Sequence, residues 1–104
     1  MTTPGHSPVS RPLYHKLLGE TARVHWQELE RLFAQGKLLL VAAELDLVVV
    51  AEAIASDDAR RVAAWVASGQ LQNLPASLAG EFAASQSQLW AVVVSPWVCV
   101  QQRN

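Results

Sequence analysis

Residues 89–100 read Leu-Trp-Ala-Val-Val-Val-Ser-Pro-Trp-Val-Cys-Val, and only Ser95 and Pro96 interrupt the apolar run. Branched and aromatic side chains at this density specify a β-strand, because they suit a pleated surface packed against neighbours. Proline has no N–H to give to a strand ladder, so the segment predicts a strand with a bulge or bend at Pro96. Neither face of such a strand is polar, so both must be covered. The chain has 104 residues, enough for one domain and one principal core. A sheet that holds this strand under helices is the first requirement of the fold.

Leu13, Leu17, Leu18, Val24, Leu29, Leu32 and Phe33 recur at helical steps between Pro12 and Gly36. The spacing predicts one long helix, with Pro in its first turn and Gly as its stop. Residues 37–43 are short and apolar, which predicts a central strand covered on both faces. In residues 45–58, Val48, Val49 and Val50 favour a strand, whereas Ala51, Glu52, Ala53 and Ala55 favour a helix. Helix is the reading over 46–55, since Asp46 can cap it and neither Gly nor Asn offers a hairpin turn at 44–46. Ser56, Asp57 and Asp58 predict a second cap, for a helix through Val62, Trp65 and Val66 that stops at Gly69. Residues 70–74 predict an edge strand ended by Pro75, and Ser77 a cap for a short helix holding Leu78, Phe82 and Ala83. The fold class is α+β: a small three-stranded sheet covered by helices, in the order α-β-α-α-β-α-β. Residues 1–11 are expected to be a flexible tail and residues 12–104 a single α+β domain.

Composition removes several functions. Apolar residues make up 51% of the chain and charged residues 16%, which suits a buried core rather than disorder. A net charge of −1 supplies no field for phosphate backbones, so no nucleic acid partner is expected. Glu44, Asp46, Glu52 and the Ser95-Pro96 pair cut every apolar run short of a bilayer span, so no membrane partner is expected either. The first twelve residues carry three prolines and no apolar stretch of the kind a secretion signal needs. The single Cys99 cannot form an internal disulfide, and a reducing cytoplasm fits it best. Cys99 has no basic neighbour to activate it, Ser95 lacks a nucleophile-elbow context, and glycine-rich phosphate loops are missing. No cofactor is expected.

The oddest polar residues are Thr21, His25 and Glu28. Within one helix their spacing would put all three on a line inside the apolar face. One reading is a pocket in which Glu28 orients the His25 imidazole for proton transfer near neutral pH. The favoured alternative is an interface that satisfies the three groups. Joined by Asp57 or Asp58, His25 and Glu28 have the chemistry to ligate a divalent metal, but adjacent acids before a helix are usually caps, and no metal is expected. Arg60 and Arg61 point in different directions on a helix and suit a solvated face rather than an anion clamp. Trp26, Trp65, Trp90 and Trp97 all lie in regular elements. Large rings with a polar edge favour a core or an interface, and Trp26, Trp90 and Trp97 are the candidate interface residues.

Residues 19–36 (GETARVHWQELERLFAQG), 45–58 (LDLVVVAEAIASDD), 63–71 (AAWVASGQL) and 89–101 (LWAVVVSPWVCVQ) resemble a family of short bacterial proteins classed as a domain of unknown function. The likeness runs from about Leu13 to Gln101. Its most specific parts are the Glu-Thr-Ala and Trp-x-Glu-Leu-Glu pieces and the closing Trp-Ala-Val-Val-Val-x-Pro-Trp-Val. The resemblance implies no activity, and it supports helix over 46–55.

So apolar a chain with three strands and short helices is expected to need a further surface to hide residues 91–94 and 97–100. The reading is a non-catalytic, self-associating interaction module, a twofold homodimer being the simplest form. A heteromeric protein partner would serve the same purpose. The competing reading is a small-molecule or metal binding protein, or a small enzyme, built on Thr21, His25 and Glu28.

Overall fold

The structure, a computed structural model, describes residues 11–102. The tail expected over 1–11 lies, Arg11 apart, outside the described residues, as do the last two residues of the expected domain. The described chain runs α1 (Pro12–Glu20), β1 (Ala22–His25), α2 (Trp26–Ala34), β2 (Leu38–Val41), α3 (Leu47–Ala55), α4 (Ala59–Ala67), β3 (Leu71–Asn73), α5 (Ala76–Ser85), β4 (Gln88–Val94) and β5 (Trp97–Gln101). The strands form one mixed sheet in the order β1-β4-β5-β2-β3. Only β2 and β5 run parallel; the other neighbours are antiparallel. The class is α+β, but the sheet has five strands rather than three, in the order α-β-α-β-α-α-β-α-β-β.

Both extra strands come from segments whose pattern suggested something longer. The long helix expected from Pro12 to Gly36 is α1, β1 and α2. Its apolar spacing does not distinguish a strand as short as Ala22–His25 from another helical turn. Pairing decides: β1 lies antiparallel to β4, with Val24 opposite Leu89 and Ala22 opposite Ala91, and both Val24 and Leu89 belong to the core below the sheet. The expected C-terminal strand with a bend is a hairpin. Val94 pairs directly with Trp97 across a two-residue turn at Ser95 and cis Pro96. A residue without an N–H sits in that turn, where no ladder bond is lost.

Other expectations stand as read. Asp46 accepts from the Val48 and Val49 amides at 2.9 and 3.3 Å and caps α3. Asp58 accepts from the Arg61 amide at 3.3 Å and caps α4. The stop after α2 is Gly36 at φ 72°, a left-handed angle that a Cβ disfavours. β2 lies inside the sheet and β3 at its edge. Ser77 is not a cap: α5 begins at Ala76, with Pro75 in the capping position.

Alternation along the strands splits the core in two. Above the sheet, α1, α3 and α4 cover Val41, Leu71, Val92, Val94 and Cys99. Below it, α2 and α5 cover Leu38, Leu89, Ala91, Val98 and Val100. Thus Val92, Val98, Cys99 and Val100 are buried within a single chain. The expectation that the closing segment needs a second molecule to hide it is corrected here, because five helices on two faces roof it. Of residues 91–94 and 97–100, Val93 alone is exposed, at 56%.

Candidate interaction surface

Thr21, His25 and Glu28 do not form a line on one helix. Thr21 ends α1, and its hydroxyl donates back to the Leu17 carbonyl at 2.8 Å. His25 ends β1, so the extended strand carries it about 13 Å beyond Thr21. Its ring Nε2 lies 3.3 Å from the Gln88 amide nitrogen, and the ring is solvent-exposed. The Glu28 carboxylate accepts from the His25 backbone N–H at 3.0 Å, a bond that ties strand to helix at the start of α2. His25 and Glu28 are therefore together as the hinge of β1 and α2, while Thr21 closes the helix before it. Asp57 and Asp58 form the corner between α3 and α4, and Asp57 takes a left-handed φ of 57°. Among the described residues no three His, Cys, Asp or Glu side chains cluster in a way that would hold a metal.

The tryptophans separate by burial. Trp26 is 4% exposed and packs between Phe33 and Phe82 below the sheet, so it offers a partner no surface. Trp90 is half-buried, with the Arg23 guanidinium 5.8 Å from its ring centre. Trp65 is half-buried under Arg61, 5.1 Å from ring centre to guanidinium carbon. Trp97 stands half-buried at the start of β5, on the upper face.

Helix α4 is where sequence and burial disagree. Val62, Trp65 and Val66 give it an apolar side, yet none of its residues is buried, and Val66 is 55% exposed. Its ends are well fixed. The Asp58 cap starts it, Gly69 at φ 80° stops it, and the Gln70 N–H returns to the Trp65 carbonyl at 2.9 Å. The helix is thus held over the upper face near the edge of the sheet, with an open groove of about 500 Å³ beneath it. Val62 and Val66 of α4 line it together with Leu39, Ile54, Leu71 and Trp97, and Gln72 and Asn73 of β3 supply its polar side chains. No ionisable side chain lines it.

An apolar groove without a titratable group can bind but has nothing to move a proton with. Cys99 does not change this. It is fully buried under α3, and burial pushes its thiol up to about 12, leaving it neutral and unreactive at physiological pH. The groove was missed in the sequence because Val62, Trp65 and Val66 have the spacing of any core-facing helix, and nothing in the pattern says that the core stops short of Val66.

No helix among the described residues is long and apolar enough to cross a membrane. Comparison with curated proteins gives no match. The solution NMR structure of PA1075 from Pseudomonas aeruginosa is similar, at 48% identity over 98% of this chain and 94% of that one, with a TM-score of 0.79. A family model described as protein of unknown function (DUF2288) matches residues 12–102. With that match spanning α1 to the end of β5, the chain belongs to the DUF2288 family.

Proposed function

We propose that the protein is a non-catalytic interaction module that associates with itself as a homodimer in the cytoplasm, through the apolar surface around α4. The observation that carries this reading is the amphipathic α4, whose apolar side buries no residue. A helix so placed leaves hydration free energy unclaimed, at about 25 cal/mol per Å² of apolar surface. Half-exposed Trp97 and Val66 border the same groove. Large rings beside a shallow apolar hollow are the usual anchors of protein interfaces. The uncharged lining supports a binding role over a catalytic one.

Sedimentation equilibrium from about 10 μM to about 1 mM tests the reading. A concentration-dependent dimer is expected, and Trp97→Ala is expected to weaken it by about 2 kcal/mol, or about thirtyfold in Kd. A monomer throughout that range overturns it. A heteromeric partner remains the neighbouring reading, since the same surface suits a different chain.

A further inference from the structure

The two end strands of the sheet, β1 and β3, differ in how their outer edges are covered. In the β2–β3 ladder, Ala42 N–H donates to the Gln70 carbonyl at 2.9 Å and Leu74 N–H to the Leu38 carbonyl at 3.1 Å. Antiparallel ladders alternate, so the main-chain groups of Leu71 and Asn73 point out of the sheet, and Leu71 is 2% exposed, which covers that edge there. β1 has no such cover: Ala22, Arg23 and His25 are exposed and Val24 is half-buried. Its inner side pairs with β4, and Trp26 N–H donates to the Ser87 carbonyl at 3.0 Å in the same register. Trp26, Val24 and Ala22 therefore turn their main-chain groups to β4, and Arg23 and His25 turn theirs outward. One outward group is taken. His25 N–H donates to the carboxylate of exposed Glu28 at 3.0 Å.

We propose that Glu28 guards the β1 edge: its carboxylate stands where the carbonyl of an added strand would bind, and it keeps the sheet from growing at that end. An antiparallel newcomer would pair with Arg23 and His25, the outward positions of the four-residue strand. With His25 N–H occupied, it gains a full pair of bonds at Arg23 alone. It would also have to cover Glu28, and an ionised carboxylate stripped of both water and its donor is costly.

Glu28 reaches this place because α2 starts at Trp26, directly after β1, and a glutamate in the third helical position can turn back to the amide before the helix. An exposed strand edge is a template for association, and a charged side chain turned onto it is one way in which proteins disarm it. The bond thus has a role besides capping α2. This goes beyond the self-association reading, which uses the surface around α4 and leaves both edges of the sheet unpaired.

Glu28→Ala in the full chain frees the His25 N–H, and each bond that an added strand regains is worth about twofold to tenfold in association. Sedimentation equilibrium is expected to show association tightened by at least that factor over the parent, with the Arg23 and His25 amide NMR signals moving as concentration rises. Asp46→Ala is the control, because it removes a helix cap of similar worth from α3 and leaves β1 alone. Glu28→Gln, whose amide oxygen still accepts from His25, should associate no more than the parent. In the parent itself, the Arg23 amide should exchange with solvent faster than the His25 amide. The inference is overturned if Glu28→Ala associates no more than the parent, if Asp46→Ala associates as much as Glu28→Ala, or if the two parent amides exchange at equal rates. A parent that stays monomeric removes the self-association reading and leaves this one standing, since the comparison is between variants.

Discussion

Replacing Gln101 with Met is the sharpest test of how this fold is held together. Gln101 is the single buried polar side chain among the described residues, at 0% exposure. Its amide donates to the Ala42 carbonyl at 2.8 Å and to the Leu45 carbonyl at 2.7 Å, pinning the loop between β2 and α3. Methionine matches glutamine in shape and length, so no cavity forms and the loss is polar. The Ala42 carbonyl keeps its bond from the Leu45 N–H at 3.0 Å, so its loss is about 0.5–1.5 kcal/mol. The Leu45 carbonyl loses its donor inside the protein, which costs about 1–3 kcal/mol. The sum is about 1.5–4.5 kcal/mol, a large share of the stability of a domain this size. Urea unfolding followed by far-UV circular dichroism is expected to show a lower midpoint at unchanged slope. Gln101→Glu adds a pH signature. A buried carboxylate facing two carbonyls has its folded pKa raised above the unfolded value. Stability is then fully present below the unfolded pKa, near 4.3, and falls as pH rises toward the folded value. A Gln101→Met midpoint within experimental error of the parent would refute the pinning role.

Three further outcomes follow from local geometry. Asp46→Ala removes the two amide bonds at the start of α3 and should cost about 1 kcal/mol in urea unfolding. Gln86→Gly should stabilise by up to about 1 kcal/mol, because residue 86 ends α5 at φ 53°, where a side chain is disfavoured; a loss of stability would show that its side chain matters more than its backbone. The raised Cys99 thiol makes stability fall with pH: it is whole below the unfolded thiol value and drops by about 1.4 kcal/mol per pH unit from about pH 9 toward pH 12. In Cys99→Ala that part of the alkaline slope should vanish, whatever the variant's stability at pH 7.

How far the sequence carried depends on whether the deciding interaction is local. α3 was legible despite its three consecutive valines, since Asp46 and the lack of turn residues at 44–46 are local facts, and the cap is there. The edge position of β3 was legible from its short polar run before Pro75. β1 was not, because only its pairing with β4, more than sixty residues away, makes Ala22–His25 a strand. The hairpin at Pro96 failed for the same reason: a break in a strand and a reversal of a strand look alike until the partner is known. That error carried into the surface. A three-stranded sheet left residues 91–94 and 97–100 uncovered and made a second molecule necessary, whereas five strands under five helices bury all of these but Val93 and half-buried Trp97. The Thr21, His25 and Glu28 line dissolved with the long helix that generated it. Exposed Val66 and the groove under α4 depend on where packing ends, which no periodicity reports.

The parallel pairing of β2 with β5 has a bearing on how the protein is made. β5 sits in the middle of the sheet, between β4 and β2, yet it is the last of the described strands to emerge during synthesis. Until it is added, β1 with β4 and β2 with β3 are two separate ribbons with bare inner borders, and neither half has its full core. The nascent chain therefore carries the bare border of β2 from residue 41 until β5 is made, and a molecule cut short at the Pro96 turn would have all five described helices and no keystone.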